Sequence, residues 1–202
     1  MNALDSVHGQ YVHPRRLRVL AGHLAPLIPP GGRVLDVGCG DGRLGKILQE
    51  QCPGVTVTGI DVLVRPQTAI PVQPFDGRKI PFEAGSFDVV LFVDVLHHTT
   101  DPMVLLSESV RVARRGVLIK DHLRQGWLAG PTLRFMDWVG NERHGVTLTY
   151  NYWTQAEWHN AFAALNLRVE AWEQRLGLYP WPASAVFGRS LHFVGLLVPG
   201  PK

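Results

Sequence analysis

The sequence contains few cysteines, no long hydrophobic run and no strong excess of one charge. Among its 202 residues are only two cysteines, Cys39 and Cys52, which cannot by themselves form a disulfide framework or a cysteine-based zinc site. The longest apolar run, Val89 to Leu96, is interrupted by Asp94 and is too short to span a bilayer. The N-terminal residues lack the apolar core of a secretory signal, so we expect a cytoplasmic protein.

The charge balance is mildly basic. Twenty Lys and Arg residues against 17 Asp and Glu residues give a net charge of +3, which does not indicate strong binding of nucleic acid. Hydrophobic residues make up 46% of the chain and charged residues 18%, which excludes wholesale disorder. Length and composition predict a single domain over residues 1–202.

Short apolar runs alternate with helical periodicity over the first 120 residues. The predicted strands are Arg33–Val37, Val55–Ile60, Ser86–Val93 and Gly116–Lys120. Because these runs do not alternate apolar and polar residues, we predict an α/β fold with a mostly parallel sheet covered on both faces. Further along, a capping pattern opens a helix at Thr154, and strands at 167–175 and 190–198 predict an antiparallel C-terminal edge.

A glycine loop, Gly38-Cys-Gly-Asp-Gly42, lies between a predicted strand and a predicted helix, where backbone N–H groups can approach a ligand. Asp36 precedes the loop, where its charge would repel a pyrophosphate and suit an ammonium or sulfonium group. Asp61 ends the second strand, the position at which an acid accepts the hydroxyls of a ribose. Both acids therefore fit an adenosine with a cationic amino-acid tail.

The stretches VLDVGCGDGRLG, GIDV and PFDGRKIPFEAGSFDVVLFVDVLHH resemble the S-adenosylmethionine motifs of class I methyltransferases, most closely the methyltransferase type 11 branch. The resemblance covers about residues 30–120 and implies a doubly wound, Rossmann-like fold with S-adenosylmethionine as cofactor. It implies that the methionine end is held by Asp36 and by the loop residues Gly38, Cys39, Gly40 and Gly42.

The same resemblance implies roles for residues further along the chain. Asp61 would bind the ribose, Asp76 with Gly77 would contact the adenine amino group, and Asp94 would face the reacting methyl. Asp76 also suits a plain Asp-Gly turn, which stays an alternative. The family usually has a helix after the ribose acid, whereas Pro66 and Pro71 here predict a loop that brings Val62 near the base.

All six tryptophans follow residue 120. Since ligands bind beyond the carboxyl ends of the strands in such sheets, we predict that residues 122–153 form a lid over this edge. An aromatic lid predicts an apolar or aromatic small-molecule acceptor and would exclude water from the reacting centre. Alternatively, the aromatics complete the core. The predicted lid aromatics are Trp127, Phe135, Trp138, Tyr150, Tyr152 and Trp153.

A hydroxyl acceptor would need a general base. The candidates are His122, with Asp121 beside it, and His98 of the His97-His98 pair, although the pair also suits a structural loop. Adjacent histidines can bind a metal, but no carboxylate or cysteine cluster stands near them at ligand spacing, so we predict no metal.

These observations predict an S-adenosylmethionine-dependent methyltransferase that acts on a small molecule. Methylation of RNA or protein is an alternative, motivated by the arginines at 15, 16, 18, 111, 114 and 115. A second alternative is a non-catalytic module that binds S-adenosylmethionine. The third alternative is an NAD(P)-binding oxidoreductase. It rests on the pattern Gly40-x-Gly42-x-x-Gly45, and the negative charge of Asp36 argues against it.

Overall fold

A computed structural model describes residues 13–141 and 149–201. The helices are α1 (His13–Leu24), α2 (Arg43–Gln51), α3 (Pro102–Val112), α4 (Ala129–Asn141), α5 (Gln155–Ala164) and α6 (Ala183–Phe187). The strands are β1 (Arg33–Val37), β2 (Thr56–Asp61), β3 (Val72–Pro74), β4 (Phe87–Val93), β5 (Ala113–His122), β6 (Leu167–Glu173) and β7 (His192–Pro199). Short 3₁₀ turns lie at Ala25–Leu27 and Leu96–His98.

The seven strands form one sheet in the order β3-β2-β1-β4-β5-β7-β6. The pairs from β3 to β5 are parallel, and β7 runs antiparallel to both β5 and β6. The predicted fold class, a mostly parallel sheet with an antiparallel C-terminal strand, is confirmed. The antiparallel strand lies one position inside the edge, which β6 occupies. The strand order reverses between β1 and β4, where such sheets bind their ligands.

The central strands are apolar because both faces of the sheet are buried. On β4, Val90 and Phe92 pack into one core with Trp158 of α5, whereas Leu91 packs into a second core with Leu24 of α1 and Leu48 of α2. Side chains that alternate along a strand point to opposite faces, so both sets of positions must be hydrophobic.

Two helix starts follow the sequence signals. The Asp101 side chain accepts a hydrogen bond from the Met103 N–H at 3.0 Å and caps α3. Thr154 and Glu157 form the reciprocal capping box that opens α5. These caps fix where the helices begin after the loops at the site edge.

Residues 62–71 form irregular structure that leads into β3 rather than a helix, in line with the two prolines. The three-residue strand β3 was not predicted, because its pairing with β2 is a tertiary contact. The predicted lid contains α4, while residues 142–148 lie outside the described residues. Within the described ranges, no helix is both long enough and apolar enough to cross a membrane.

Candidate cofactor and acceptor site

The glycine loop sits at the carboxyl ends of β1 and β2. Gly38, Gly40 and Gly42 all have positive φ angles, of 72°, 59° and 73°, which side chains rarely adopt. A Cβ on Gly38 would lie 2.6 Å from Val95, and one on Gly42 would lie 2.6 Å from Ile70. A Cβ on Gly40 would meet no atom of the described residues within 4 Å, so within this part of the chain Gly40 is where the loop is open.

The carboxylate of Asp36 is buried at the edge of this loop. Asp36 is 3% exposed, and a Cβ on Gly45 would lie 3.6 Å from its Oδ2 atom, which places the carboxylate beside the first turn of α2. Burial, together with the negative charge of Asp61, raises the pKa of Asp36 to about 7. A positive group beside Asp36 would offset both effects.

Asp61 fastens the loop to the end of β2. Its Oδ2 atom accepts a hydrogen bond from the Gly40 N–H, and its Oδ1 atom accepts one from the Leu63 N–H, both at 2.8 Å. The Gly38 N–H donates to the Ile60 carbonyl at 2.7 Å. The amides of Gly38 and Gly40 therefore hold the loop to β2, and the acidic groups and the open space over Gly40 remain for a ligand.

Cys39 contributes to the loop through its packing. Its N–H also donates to the Ile60 carbonyl, at 3.3 Å, and its thiol occupies the space that a Cβ on Gly59 would need. Burial raises the pKa of the Cys39 thiol. The side chain therefore packs against β2 as a neutral group.

The predicted adenine residues lie close together. A Cβ on Gly77 would lie 3.1 Å from Val62, whose side chain is 65% exposed. Oδ1 of Asp76 accepts hydrogen bonds from the N–H groups of Arg78 and Lys79, at 2.8 and 2.7 Å. These backbone hydrogen bonds lower the pKa of Asp76. The Asp76 turn considered from the sequence is thus present, and its Gly77 lies beside the exposed Val62.

Asp94, at the end of β4, lies within a group of positive side chains that the sequence analysis missed. Its carboxylate is paired with Arg16 of α1 and with the fully buried Lys120 of β5. Although burial opposes ionisation, Lys120 and Arg16 hold the pKa of Asp94 well below its usual range. The Nδ1 atom of His122 lies 3.6 Å from Oδ1 of Asp94. Lys120 could have been noticed in the sequence, because it is a lysine inside an apolar run.

Asp121 organises the neighbouring histidine cluster. Its buried carboxylate accepts hydrogen bonds from the backbone N–H groups of Leu96, at 3.0 Å, and His122, at 2.7 Å, and from the His97 ring at 2.5 Å. Burial opposes ionisation, but the charge of His97 keeps the pKa of Asp121 far below its usual range. Asp121 therefore orients the His97 ring, and its Oδ1 atom also lies 3.5 Å from Nδ1 of His122, the neighbour expected from the sequence.

The two predicted bases differ in exposure. His122 is buried, and burial with the positive charge of His97 lowers its pKa to about 4. His98 is half-buried, and the same two causes lower its pKa. His97 is buried, but Asp121 overcomes the effect of burial and raises the pKa of His97 to about 10.

The aromatic side chains of residues 122–153 divide into two sets. Tyr152 is buried, lies 5.5 Å from the His97 ring and donates a hydrogen bond to Asp137 of α4. Trp153 packs against Trp158 in the core, 4.9 Å between ring centroids. The second set, which α4 and the turn before it carry, is exposed at the surface: Trp127 (82%), Phe135 (52%) and Trp138 (48%).

Comparison with known proteins places the chain in a family. Residues 10–171 match the sequence model of the methyltransferase domain. The 2-methyl-6-phytyl-1,4-hydroquinone methyltransferase of Synechocystis is 31% identical over 156 residues, which cover 68% of this chain and 44% of that protein. The ubiquinone biosynthesis O-methyltransferase of Paracidovorax citrulli is 33% identical over 118 residues, or 52% of this chain and 48% of that protein.

The fold has solved counterparts. An S-adenosylmethionine-dependent methyltransferase from Mesorhizobium loti superposes with a TM-score of 0.65 at 19% identity, covering 88% of this chain and 96% of the other. The chain belongs to the methyltransferase domain family, and the predicted class of methyltransferase and its S-adenosylmethionine cofactor are confirmed, whereas the type 11 branch stays a prediction. It spans about half the length of the curated relatives that it matches.

Proposed function

We propose that this chain transfers the methyl group of S-adenosylmethionine to a small acceptor that carries a hydroxylated aromatic ring. The observation that carries the proposal is the pair of acids, Asp36 and Asp61, on either side of the loop that is open over Gly40. The acceptor class is supported by the aromatic lid region and by the names of the two relatives, which refer to a hydroquinone and to ubiquinone biosynthesis.

The residues present suit this cofactor. Buried Asp36 has a raised pKa, so a cationic amino-acid tail would find an acid whose ionised form it favours. Asp61 has both oxygens at the end of β2, where they can also accept from ribose hydroxyls. Val62 and Asp76 would border the adenine, with Gly77 leaving room between them. When bound, the cofactor supplies a methyl carbon already activated by the sulfonium.

The remaining work of the protein is alignment and exclusion of water. We assign Asp94, held by Lys120 and Arg16, to the edge of the methyl-transfer site, as its place at the end of β4 suggests. Residues 122–153 would cover the acceptor. This lid remains a proposal, supported by the contact of Tyr152 with the His97 ring at the strand ends.

Methyl transfer to a hydroxyl group requires a base that accepts the hydroxyl proton. With a pKa of about 4, His122 would be a weak base near neutral pH, and the Asp121 carboxylate already accepts three hydrogen bonds. We therefore propose Asp121 as a positioning residue. His98, half-buried at the end of the 3₁₀ turn, is the base candidate most open to an acceptor.

An acceptor screen tests this function. Purified chain is incubated with S-adenosylmethionine and with catechols, hydroquinones, single-stranded RNA or a protein mixture, and formation of S-adenosylhomocysteine is measured. We expect turnover with the hydroxylated aromatics. Turnover with RNA or protein alone would contradict the acceptor class. Tight cofactor binding without turnover on any acceptor would support a non-catalytic module instead.

A further inference from the structure

Two buried ring nitrogens of consecutive histidines have no hydrogen-bond partner among residues 13–141 and 149–201. They are Nε2 of His97 and Nδ1 of His98, both in the 3₁₀ turn that follows β4. Asp137 of α4 brings a carboxylate oxygen to 3.4 Å from Nε2 of His97. One ligand atom from each of these three residues lies within 4.8 Å of the other two. Buried polar atoms normally have a partner, so this group calls for an occupant.

The surroundings of the three residues match those of metal ligands. The Nδ1 atom of His97 lies 2.5 Å from Oδ1 of Asp121. In the neutral ring, which a bound metal ion favours over the doubly protonated one, Nδ1–H is donated to Asp121 and Nε2 carries the lone pair. Histidine ligands commonly donate their second ring N–H to a carboxylate in this way. Tyr152 in turn donates a hydrogen bond to Asp137 and fixes its carboxylate.

We propose that His97, His98 and Asp137 bind one divalent transition-metal ion, with Zn²⁺ as the best match. Two imidazole nitrogens and one carboxylate oxygen form a donor set of the kind that binds Zn²⁺. Tetrahedral Zn²⁺ with bonds of about 2.0–2.1 Å separates its ligand atoms by about 3.3 Å. The separation of 3.4 Å between His97 and Asp137 agrees with this geometry. The fourth position would stay open to water or another oxygen.

A proton on Nε2 of His97 is the competing occupant. It would pair His97 with Asp137 but would leave Nδ1 of His98 without a partner. A metal ion satisfies all three groups at once. It would also tie α4 to the turn after β4, and so connect the predicted lid to the edge of the sheet. A metal ion takes the lone pair of His98, so the metal site and a role of His98 as general base exclude each other, and metal binding decides between them.

Metal titration of the full chain tests the site without measuring activity. After treatment with a chelator, the wild type is titrated with Zn²⁺ by calorimetry and with Co²⁺ by visible absorption. We expect one equivalent to bind, with the intense visible bands of tetrahedral Co²⁺. His98→Ala and Asp137→Asn should each weaken the Zn²⁺ affinity by about 100-fold or more. Loss of a residue that only hydrogen-bonds to a metal ligand costs up to about 100-fold, and these two variants change a ligand itself.

The control is His159→Ala, which removes an exposed histidine of α5 and should leave the affinity unchanged. Asp137→Asn keeps an oxygen for Tyr152, and circular dichroism of each apo variant checks its fold. Should a variant not fold, the ¹⁵N shifts of the wild-type imidazoles report the site directly, because Zn²⁺ moves the signals of His97 and His98 the most. Absence of Zn²⁺ binding to the wild type, or wild-type affinity in both variants, would overturn the proposal.

Discussion

The carboxylates of Asp36 and Asp61 lie at the carboxyl ends of neighbouring parallel strands, and the charge of Asp61 adds to burial in raising the pKa of Asp36 to about 7. Such an arrangement opposes folding when both acids are ionised and favours a ligand that brings positive charge. The repulsion that destabilises the free chain is the same interaction that a cationic ligand relieves when it binds.

The affinity for S-adenosylmethionine should therefore depend on Asp36 and on pH. A cationic ligand favours the ionised carboxylate, so the affinity should fall as the pH drops through about 7, the pKa of Asp36 in the free chain. Calorimetry from pH 8 to pH 5.5 measures this trend. In Asp36→Asn the affinity at pH 8 should be weaker by about tenfold or more and the fall with pH should be much smaller. An unchanged pH profile in this variant would exclude Asp36 as the responsible group.

The contribution of Asp36 to the stability of the free chain should change with pH in the opposite direction to the affinity. The folded chain holds the Asp36 proton up to about pH 7, whereas the pKa of the same carboxyl in an unfolded chain is about 3.8. The contribution of Asp36 to the free energy of unfolding should therefore fall as the pH rises from about 3.8 to about 7. Without the cofactor, Asp36→Asn should unfold at a higher temperature than the wild type at pH 8. Calorimetric melting curves measure the difference, and a lower melting temperature for the variant at pH 8 would contradict the expectation.

The buried pair of Lys120 and Asp94 should be a large structural contributor. Lys120→Met leaves Asp94 with Arg16 as its remaining charge-paired partner, and breaking a buried pair in this way costs about 3 kcal/mol or more. Lys46→Met is the matched control, because Lys46 pairs with Glu50 at the surface. Its effect should stay below about 1 kcal/mol. Urea unfolding compares the two, and equal losses would contradict the assigned role of Lys120.

Substitutions of two loop glycines should affect stability and cofactor affinity to different extents. Gly38→Ala combines a positive φ with a collision with Val95, so it should lower the free energy of unfolding by about 2–3 kcal/mol. Gly40→Ala has free space around the new methyl group and should cost about 1 kcal/mol. It should nevertheless weaken cofactor binding by about tenfold, because the methyl group would enter the open face of the loop. Equal effects of both variants on stability and on affinity would contradict this reading of the loop.

The parts of the site that were predictable depend on local sequence. Apolar runs fix β1, β2 and β4, and the positions of Asp36, Gly40 and Asp61 follow from where those strands end. This is a consequence of parallel topology, which brings the carboxyl ends of successive strands to one edge.

The remaining parts depend on contacts between distant residues. Asp137 reaches the histidine pair from α4, and Arg16 reaches Asp94 from α1, neither of which has a local signal. The strand β3 has only three residues and forms by pairing with β2. No carboxylate cluster stands near His97 and His98 in the sequence, which predicted no metal, but the fold brings Asp137 to that position.

Calorimetric titration of S-adenosylmethionine into Asp61→Asn tests the central claim most directly. Asn keeps one oxygen acceptor for the loop, and Asp41→Asn, which changes a half-exposed acid of the same loop, is the control. Loss of a charge-assisted hydrogen bond to the ribose predicts an affinity about 10–100-fold weaker in Asp61→Asn and an unchanged affinity in Asp41→Asn. Wild-type affinity in a folded Asp61→Asn variant would contradict the account.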